Sequence, residues 1–188
     1  MRAMGKVYEG ITPELEAWVE KQPVFFVGTA PLAGGGHVNV SPKGLDSLRI
    51  LRPRRVAYLD LTGSGAETIA HVRENGRIVI MFCAFSGPPK IVRFHGKARI
   101  VTPREPAWGA MRGHFPDHLG ARALVDIDVT RVSDSCGYGV PTFEKMSQRE
   151  ALDLWTQKRG ADGLVAYRQQ KNARSIDGLP AFEPQDEG

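Results

Sequence analysis

A small polar turn lies between a strand-like and a helix-like segment near the middle of the chain. Arg55–Leu61 alternates in side-chain character and predicts a strand, and residues 66–75 predict a helix that ends at Gly76. Hydroxyl groups and backbone N–H groups at the N-terminus of a helix attract anions, and glycine lets the backbone come close. The alternative is that Ser64 only caps the helix and the glycines only turn the chain. The candidate anion-binding residues are Thr62, Gly63, Ser64, Gly65 and Thr68.

Two phosphate-binding motifs are excluded at this turn. A P-loop requires G-x-x-x-x-G-K-[ST], and no segment of the chain matches it. A dinucleotide fingerprint requires three glycines and an acidic residue about 20 positions later. Here the turn has two of the three glycines, and "SGPPK" stands where the acidic residue would be. A general helix-terminus site for a phosphate therefore remains.

A lysine is predicted to join this turn from a neighbouring strand. "NVSPKG" ends an alternating segment with Ser41 and Lys43, and an ammonium group there could meet the same phosphate. The alternative interpretation is a solvated lysine in a turn. The two residues are therefore added to the candidate anion-binding set.

Six segments predict strands, and several others predict helices. The strand-like segments are residues 23–32, 37–41, 55–61, 77–85, 90–101 and 122–135. Helices are predicted after Thr12, which has the character of an N-cap, and over residues 66–75; two more follow residue 146. Gly96 predicts a bulge or bend within its strand, and residues 183–188 are expected to be disordered. A doubly wound sheet would need strands and helices to alternate, and they do so once. The pattern predicts a mainly β (α+β) fold, a six-stranded antiparallel barrel with peripheral helices.

Composition limits the classes of partner. The formal net charge is +4, and no basic run with interleaved aromatic residues indicates nucleic-acid binding. Cys83 and Cys136 lie far apart, and the five histidines lack metal-ligand spacing, so neither a disulfide framework nor a metal site is predicted. No apolar segment is long enough to span a membrane, and the N-terminus has no signal-like apolar region. We expect a soluble, cytoplasmic protein.

The order of these features resembles the pyridoxamine 5′-phosphate oxidase-like family, whose members are flavin mononucleotide (FMN)-binding split barrels. The resemblance rests on Lys43-Gly44 closing a strand, Thr62 in the following polar turn, "ENGRIVIMF" at residues 74–82 and "KIVRFHGKARIV" at residues 90–101. It covers roughly residues 18–132.

The resemblance implies a split β-barrel homodimer with FMN at the subunit interface. It makes the turn residues and Glu67, together with Ser41, Lys43 and Arg93, candidate FMN contacts. The family's Arg-Lys pair is replaced here by Glu67-Thr68, and its strand glutamine by Ile91 or Arg93. Because the C-terminal segment that holds the vitamin substrate has no counterpart, pyridoxamine phosphate is not the expected substrate.

Two units and two classes of function are predicted. Residues 1–135 form the FMN-binding barrel, and residues 136–188 form a helical extension packed on the barrel or on the partner subunit. Tyr138, Asn172 and Arg174 are candidates for a substrate pocket. The expected function is that of a flavin-dependent oxidoreductase acting on a small organic molecule. The alternatives are a non-catalytic flavin carrier or redox sensor, or a binder of another planar cofactor such as a deazaflavin or haem.

Overall fold

One antiparallel sheet dominates the computed structural model, which describes residues 5–187. Its eight strands are β1 Val7–Tyr8, β2 Phe25–Thr29, β3 Asn39–Lys43, β4 Leu48–Arg52, β5 Arg55–Leu61, β6 Arg77–Cys83, β7 Ile91–Val101 and β8 Ala121–Ser135. The strand order is β3-β2-β6-β7-β8-β5-β4, and β1 pairs with β8. The predicted mainly β class with peripheral helices is confirmed.

The predicted number of six strands is wrong, and the sheet is not a closed barrel. The two additional strands are β1 and β4. β1 has two residues, too few to show a period, and the Leu-Arg-Ile-Leu-Arg sequence of β4 does not alternate cleanly. The sheet path ends at β3 and β4, which have no backbone pairing with each other.

The helices are α1 Pro13–Val19, α2 Glu67–Asn75, α3 Ala107–Arg112 and α4 Ala151–Lys171. The Thr12 side chain accepts a hydrogen bond from the backbone N–H of Leu15, which confirms the predicted cap. Gly76 ends α2 in the left-handed conformation, with φ 71°. At Gly160, with φ 67° and ψ 173°, α4 is interrupted, so two helical halves follow one another as predicted.

The main core lies on one face of the sheet beneath α1. It is built from buried residues of β2 and of β5 to β8, including Phe82 and Phe94. The register of β7 against β8 shifts between His95 and Gly96, where the sequence predicts a bulge. A β-carbon at Gly96 would collide with the carbonyl oxygen of Asp128, so this close approach requires glycine.

The segment after residue 135 packs against the sheet of the same chain. Phe182 is buried in a small cluster with Ile69 and Ala123. The Arg73 guanidinium donates to Asp186 at 2.7 Å, within a 3-10 helix at Pro184–Asp186. The expectation that residues 183–188 are disordered is wrong for residues 183–187, which include this 3-10 helix. The division into units 1–135 and 136–188 stays a prediction, and residues 1–4 and 188 lie outside the described range.

Candidate anion-binding site

A buried carboxylate joins the end of β3 to β5 where the open sheet curls on itself. Asp60, 1% exposed, accepts a hydrogen bond from Lys43 Nζ at 2.9 Å and another from Arg122 Nε at 2.7 Å. Lys43 lies on β3 and Arg122 on β8. One carboxylate therefore positions two cationic side chains from different strands.

Lys43, Asp60 and Arg122 together have a net positive charge. Burial by itself would raise the pKa of Asp60, but the positive charges of Arg122 and Lys43 lower it to about 2. Asp60 is consequently ionised at neutral pH. Two cations share one anion, so the group carries a formal charge of +1.

Arg122 retains a buried donor that is not used. Its Nη2 donates to the carbonyl oxygen of Gly65 at 2.9 Å, whereas its Nη1 is buried and has no hydrogen-bond partner. The residue is 4% exposed. Buried polar groups are nearly always paired in folded proteins, so this orphan guanidinium nitrogen indicates a missing acceptor.

A small pocket of about 230 Å³ opens at this junction. Six of the predicted residues line it, namely Ser41, Lys43, Gly63, Gly65, Glu67 and Thr68. Pro42, Asp60, Leu61, Ala66 and Arg122 complete the lining. The structure thus brings β3, the glycine turn and the start of α2 together around one cavity.

Glu67 opposes an anion in this pocket. It is the first residue of α2, and its carboxylate lies so close to Gly65 that a β-carbon there would collide with it. Its Oε1 accepts a hydrogen bond from the backbone N–H of Ile176 at 3.3 Å. No side chain caps the N-terminus of α2. The Glu67 carboxylate lies at this positive end of the helix, where it would repel a bound anion.

A chain of side-chain hydrogen bonds leads from the interior to the pocket wall. Buried His71 shares a hydrogen bond of 3.0 Å with Thr29, whose hydroxyl also accepts from Asn39 at 3.2 Å. The Asn39 amide donates to Thr68 at 3.0 Å and accepts from Ser41 at 3.2 Å. Burial lowers the pKa of His71, so the imidazole is neutral. The network fixes both pocket hydroxyls.

Two predicted contact residues support the turn from behind. Thr62 is fully buried; its hydroxyl donates to the carbonyl oxygen of Gly120 at 2.9 Å and accepts from Arg168 at 3.2 Å. The Asn172 amide donates to the carbonyl oxygen of Gly63 at 2.9 Å. Neither residue lines the pocket.

The remaining predicted residues are not brought to the pocket lining. Ser64 is exposed at the tip of the turn. Arg93 donates to Ser135 at 3.0 Å, and Arg174 donates to the carbonyl oxygen of Gly178 at 2.8 Å within its own loop. Tyr138 is 74% exposed.

The sequence reading missed Asp60 and Arg122. Asp60 lies on the same face of β5 as Val56 and Tyr58, both fully buried. A buried carboxylate on the core face of a strand requires a cationic partner. The position of Asp60 in the alternating pattern of β5 could therefore have indicated a buried ion pair. Nothing local identifies Arg122 as that partner, because 62 positions separate it from Asp60.

Neither a metal-binding cluster nor a membrane-spanning helix is found among residues 5–187. No group of three or more His, Cys, Asp or Glu side chains is arranged to hold a metal ion. The same part of the chain has no helix with the length and apolar character needed to cross a membrane.

Comparison with known proteins identifies the family. The model of the family described as "Pyridoxamine 5'-phosphate oxidase" matches residues 11–136. The chain is 39% identical over 194 residues to the pyridoxamine 5′-phosphate oxidase family protein ustO of Aspergillus flavus, covering 93% of this chain and 77% of that protein. The chain belongs to the pyridoxamine 5′-phosphate oxidase family, which confirms the resemblance seen in the sequence.

Solved structures agree at the level of the fold. A variant of HupZ from Group A Streptococcus is 25% identical with a TM-score of 0.52, covering 66% of this chain and 98% of that one. A protein of Lactobacillus delbrueckii described as a "putative pyridoxamine 5'-phosphate oxidase" is 16% identical with a TM-score of 0.51, covering 69% and 98%. The second likeness concerns the fold alone.

Proposed function

We propose that the chain binds FMN, with the phosphate held between Lys43, Arg122 and the glycine turn, and acts as a flavin-dependent oxidoreductase on a small organic molecule. Family membership supports a flavin as the ligand. The unpartnered Nη1 of Arg122 carries the argument, because a buried donor beside a second cation suits a phosphate oxygen. Bound flavin would supply the electron transfer, and the chain would supply binding, orientation and exclusion of water.

The dimensions of the site support a phosphate rather than a whole flavin inside the small pocket. Cavities that enclose drug-sized ligands measure about 300–1,000 Å³, and this pocket is smaller. A cleft of about 820 Å³ adjoins it and shares Pro42 and Lys43 with its lining. The larger, more apolar part of the ligand would lie in that direction.

The experiment is titration of purified protein with FMN, followed by quenching of flavin fluorescence. We expect Arg122→Gln to weaken binding about 10- to 100-fold, because a hydrogen bond to a charged group contributes about 1.5–3 kcal/mol. Arg131→Gln removes the same charge from an exposed position of the same strand and should leave the affinity unchanged. Circular dichroism checks that each variant is folded.

A second variant changes the affinity in the opposite direction. Glu67→Gln removes the carboxylate that faces the anion and should tighten FMN binding about two- to fivefold, the size of a charge effect at a helix N-terminus. Folded wild-type protein that binds no FMN at millimolar concentration would contradict the proposal.

A turnover assay on the FMN-loaded protein separates an enzyme from a carrier. An oxidoreductase would oxidise a nicotinamide donor through bound FMN, and an added acceptor substrate, which takes up the electrons, would raise the steady-state rate. A carrier or sensor holds FMN tightly and shows slow reduction that no substrate accelerates. Uptake of haem or a deazaflavin, with no binding of FMN, would instead favour the function of a binder of another planar cofactor.

We also propose that two copies associate as a homodimer. The support is the edge strand β3, in which Val40 is 65% exposed, together with Val38 just before it, which is 73% exposed. Edge strands with exposed apolar side chains are surfaces on which a second chain can pair.

A further inference from the structure

A second cavity lies between α1, β4 and the loop that joins β3 to β4. Its volume is about 520 Å³, within the range of small-molecule sites. Val19, Phe25 and Phe82, each at most 5% exposed, contribute apolar surface to its floor. Leu48 and Ile50 of β4 form part of the wall. None of the residues lining this cavity also lines the anion pocket.

The one arginine in this lining is already neutralised. Arg49 makes a two-pronged ion pair with Asp46, with nitrogen–oxygen distances of 2.7 and 2.9 Å. Its Nε donates to the carbonyl oxygen of His114 at 2.8 Å. Arg49 and Asp46 therefore cancel in charge, and the donors of the guanidinium face oxygens within the chain.

Two further carboxylates line the cavity, and the one on Glu20 interacts with Arg49 at longer range only, without a close ion pair. Glu16 lies in α1 and Glu20 is the C-cap residue four positions later, a spacing at which like charges repel. Within residues 5–187, neither carboxylate has an ion-pair partner within 4.0 Å. The cavity lining thus has a formal charge of −2 in a chain whose net charge is +4.

We propose that this cavity binds an organic cation, an amine with an aromatic or branched aliphatic body. The apolar body would cover the floor around Phe25 and Phe82, and the ammonium group would lie between Glu16 and Glu20. Apolar surface provides affinity and the carboxylates select the sign of the charge. The cleft proposed for the rest of FMN shares Pro23, Gly44 and Gln148 with this cavity, so the two ligands would be neighbours. The four residues proposed to contact the amine line neither that cleft nor the anion pocket, so amine binding does not require FMN.

The test is two-dimensional NMR of ¹⁵N-labelled protein with three probes of similar size: phenethylammonium, 2-phenylethanol and 3-phenylpropanoate. We expect the ammonium probe to shift the amide signals of Glu20, Ser47 and Leu48, and to bind more tightly than the neutral alcohol. The carboxylate should bind most weakly. Raising the salt concentration should weaken the ammonium probe and leave the alcohol unchanged.

Charge-removing variants provide the matched control. Glu16→Gln/Glu20→Gln should weaken the ammonium probe about fivefold, in keeping with two partly exposed carboxylates. Glu9→Gln/Glu14→Gln removes two charges from the same end of the chain outside the cavity and should change nothing. Equal affinity for ammonium and alcohol, equal loss in both double variants, or shifts confined to other residues would each overturn the proposal.

Discussion

Asp60 holds two cationic side chains at the wall of the anion pocket. It is buried, and it holds Lys43 and Arg122 in place through hydrogen bonds of 2.9 and 2.7 Å. Removing one partner of a buried ion pair leaves an uncompensated charge and costs about 3–5 kcal/mol. Asp60 is therefore a positioning residue for the two proposed phosphate-binding cations.

Protonation of Asp60 in acid should lower the stability of the fold. The pKa of Asp60 is about 2 in the folded state, below its ordinary value of about 3.9 in an unfolded chain. A lowered pKa contributes stability that is complete above about pH 4 and is lost as the pH falls towards 2, here about 2 kcal/mol. Urea unfolding between pH 5 and pH 2 should show this loss in wild type and not in Asp60→Asn.

A direct measurement covers the case in which Asp60→Asn does not fold. The ¹³C signal of the Asp60 carboxyl in wild-type protein should titrate with a midpoint near pH 2, well below the ordinary value of about 3.9 for an aspartate. A midpoint near 4 would show that the pairing with Lys43 and Arg122 does not lower the pKa.

At the residue scale, the sequence predicted what depends on order along the chain. Lys43, Gly65 and Thr68 were predicted as site residues from their places at a strand end, in a turn and in the first turn of a helix, and the structure brings them to one pocket. Arg122 depends on a contact between distant strands, and no local pattern reports it. Thr62 has the residue type of a ligand contact, but its hydroxyl is engaged by Gly120 and Arg168.

At the scale of elements, the glycine turn depends on the end of α4. Arg168 donates to Thr62, and Asn172 donates to the carbonyl oxygen of Gly63. The guanidinium of Arg168 is itself fixed by Glu187, at 2.5 and 2.7 Å. The C-terminal segment therefore positions the proposed phosphate site from behind the turn.

The contribution of Asn172 to the position of the glycine turn can be measured. Asn172→Ala removes the hydrogen bond to Gly63 and should lower the free energy of unfolding by about 1 kcal/mol. It should also speed hydrogen exchange at the amides of residues 63–65. Gln170→Ala, at an exposed position on the same helix, is the control. Unchanged exchange in Asn172→Ala would show that the turn is rigid without α4.

Elements with strong local signals were predicted well, and elements without them were not. Thr12, Gly76 and the bulge at Gly96 were correctly identified because a cap, a left-handed residue and a close approach each favour particular residue types. β1 and β4 are stabilised by pairing with β8 and β5, which a local pattern does not record.

At the scale of the whole molecule, the open edge at β3 leads to the prediction of a dimer. Sedimentation equilibrium of wild-type protein should give twice the chain mass of 20.6 kDa. Val38→Lys/Val40→Lys should shift the equilibrium towards monomer, because lysines on and directly before an edge strand disfavour pairing with a second chain. Leu154→Lys/Ile176→Lys, at positions 59% and 70% exposed, is the control. A wild-type monomer, or equal dissociation of both variants, would contradict this arrangement.

The junction between β3 and β5 has a consequence for how such a chain can diverge. No backbone ladder joins the two strands, and the gap is bridged by the side chains of Lys43 and Asp60. Main-chain pairing ties many positions together, so altering it requires coordinated change. A gap bridged by side chains can be widened, narrowed or reversed in charge by single substitutions while the sheet keeps its register. Descendants of such a chain can therefore exchange one ligand for another through mutations that leave the scaffold intact.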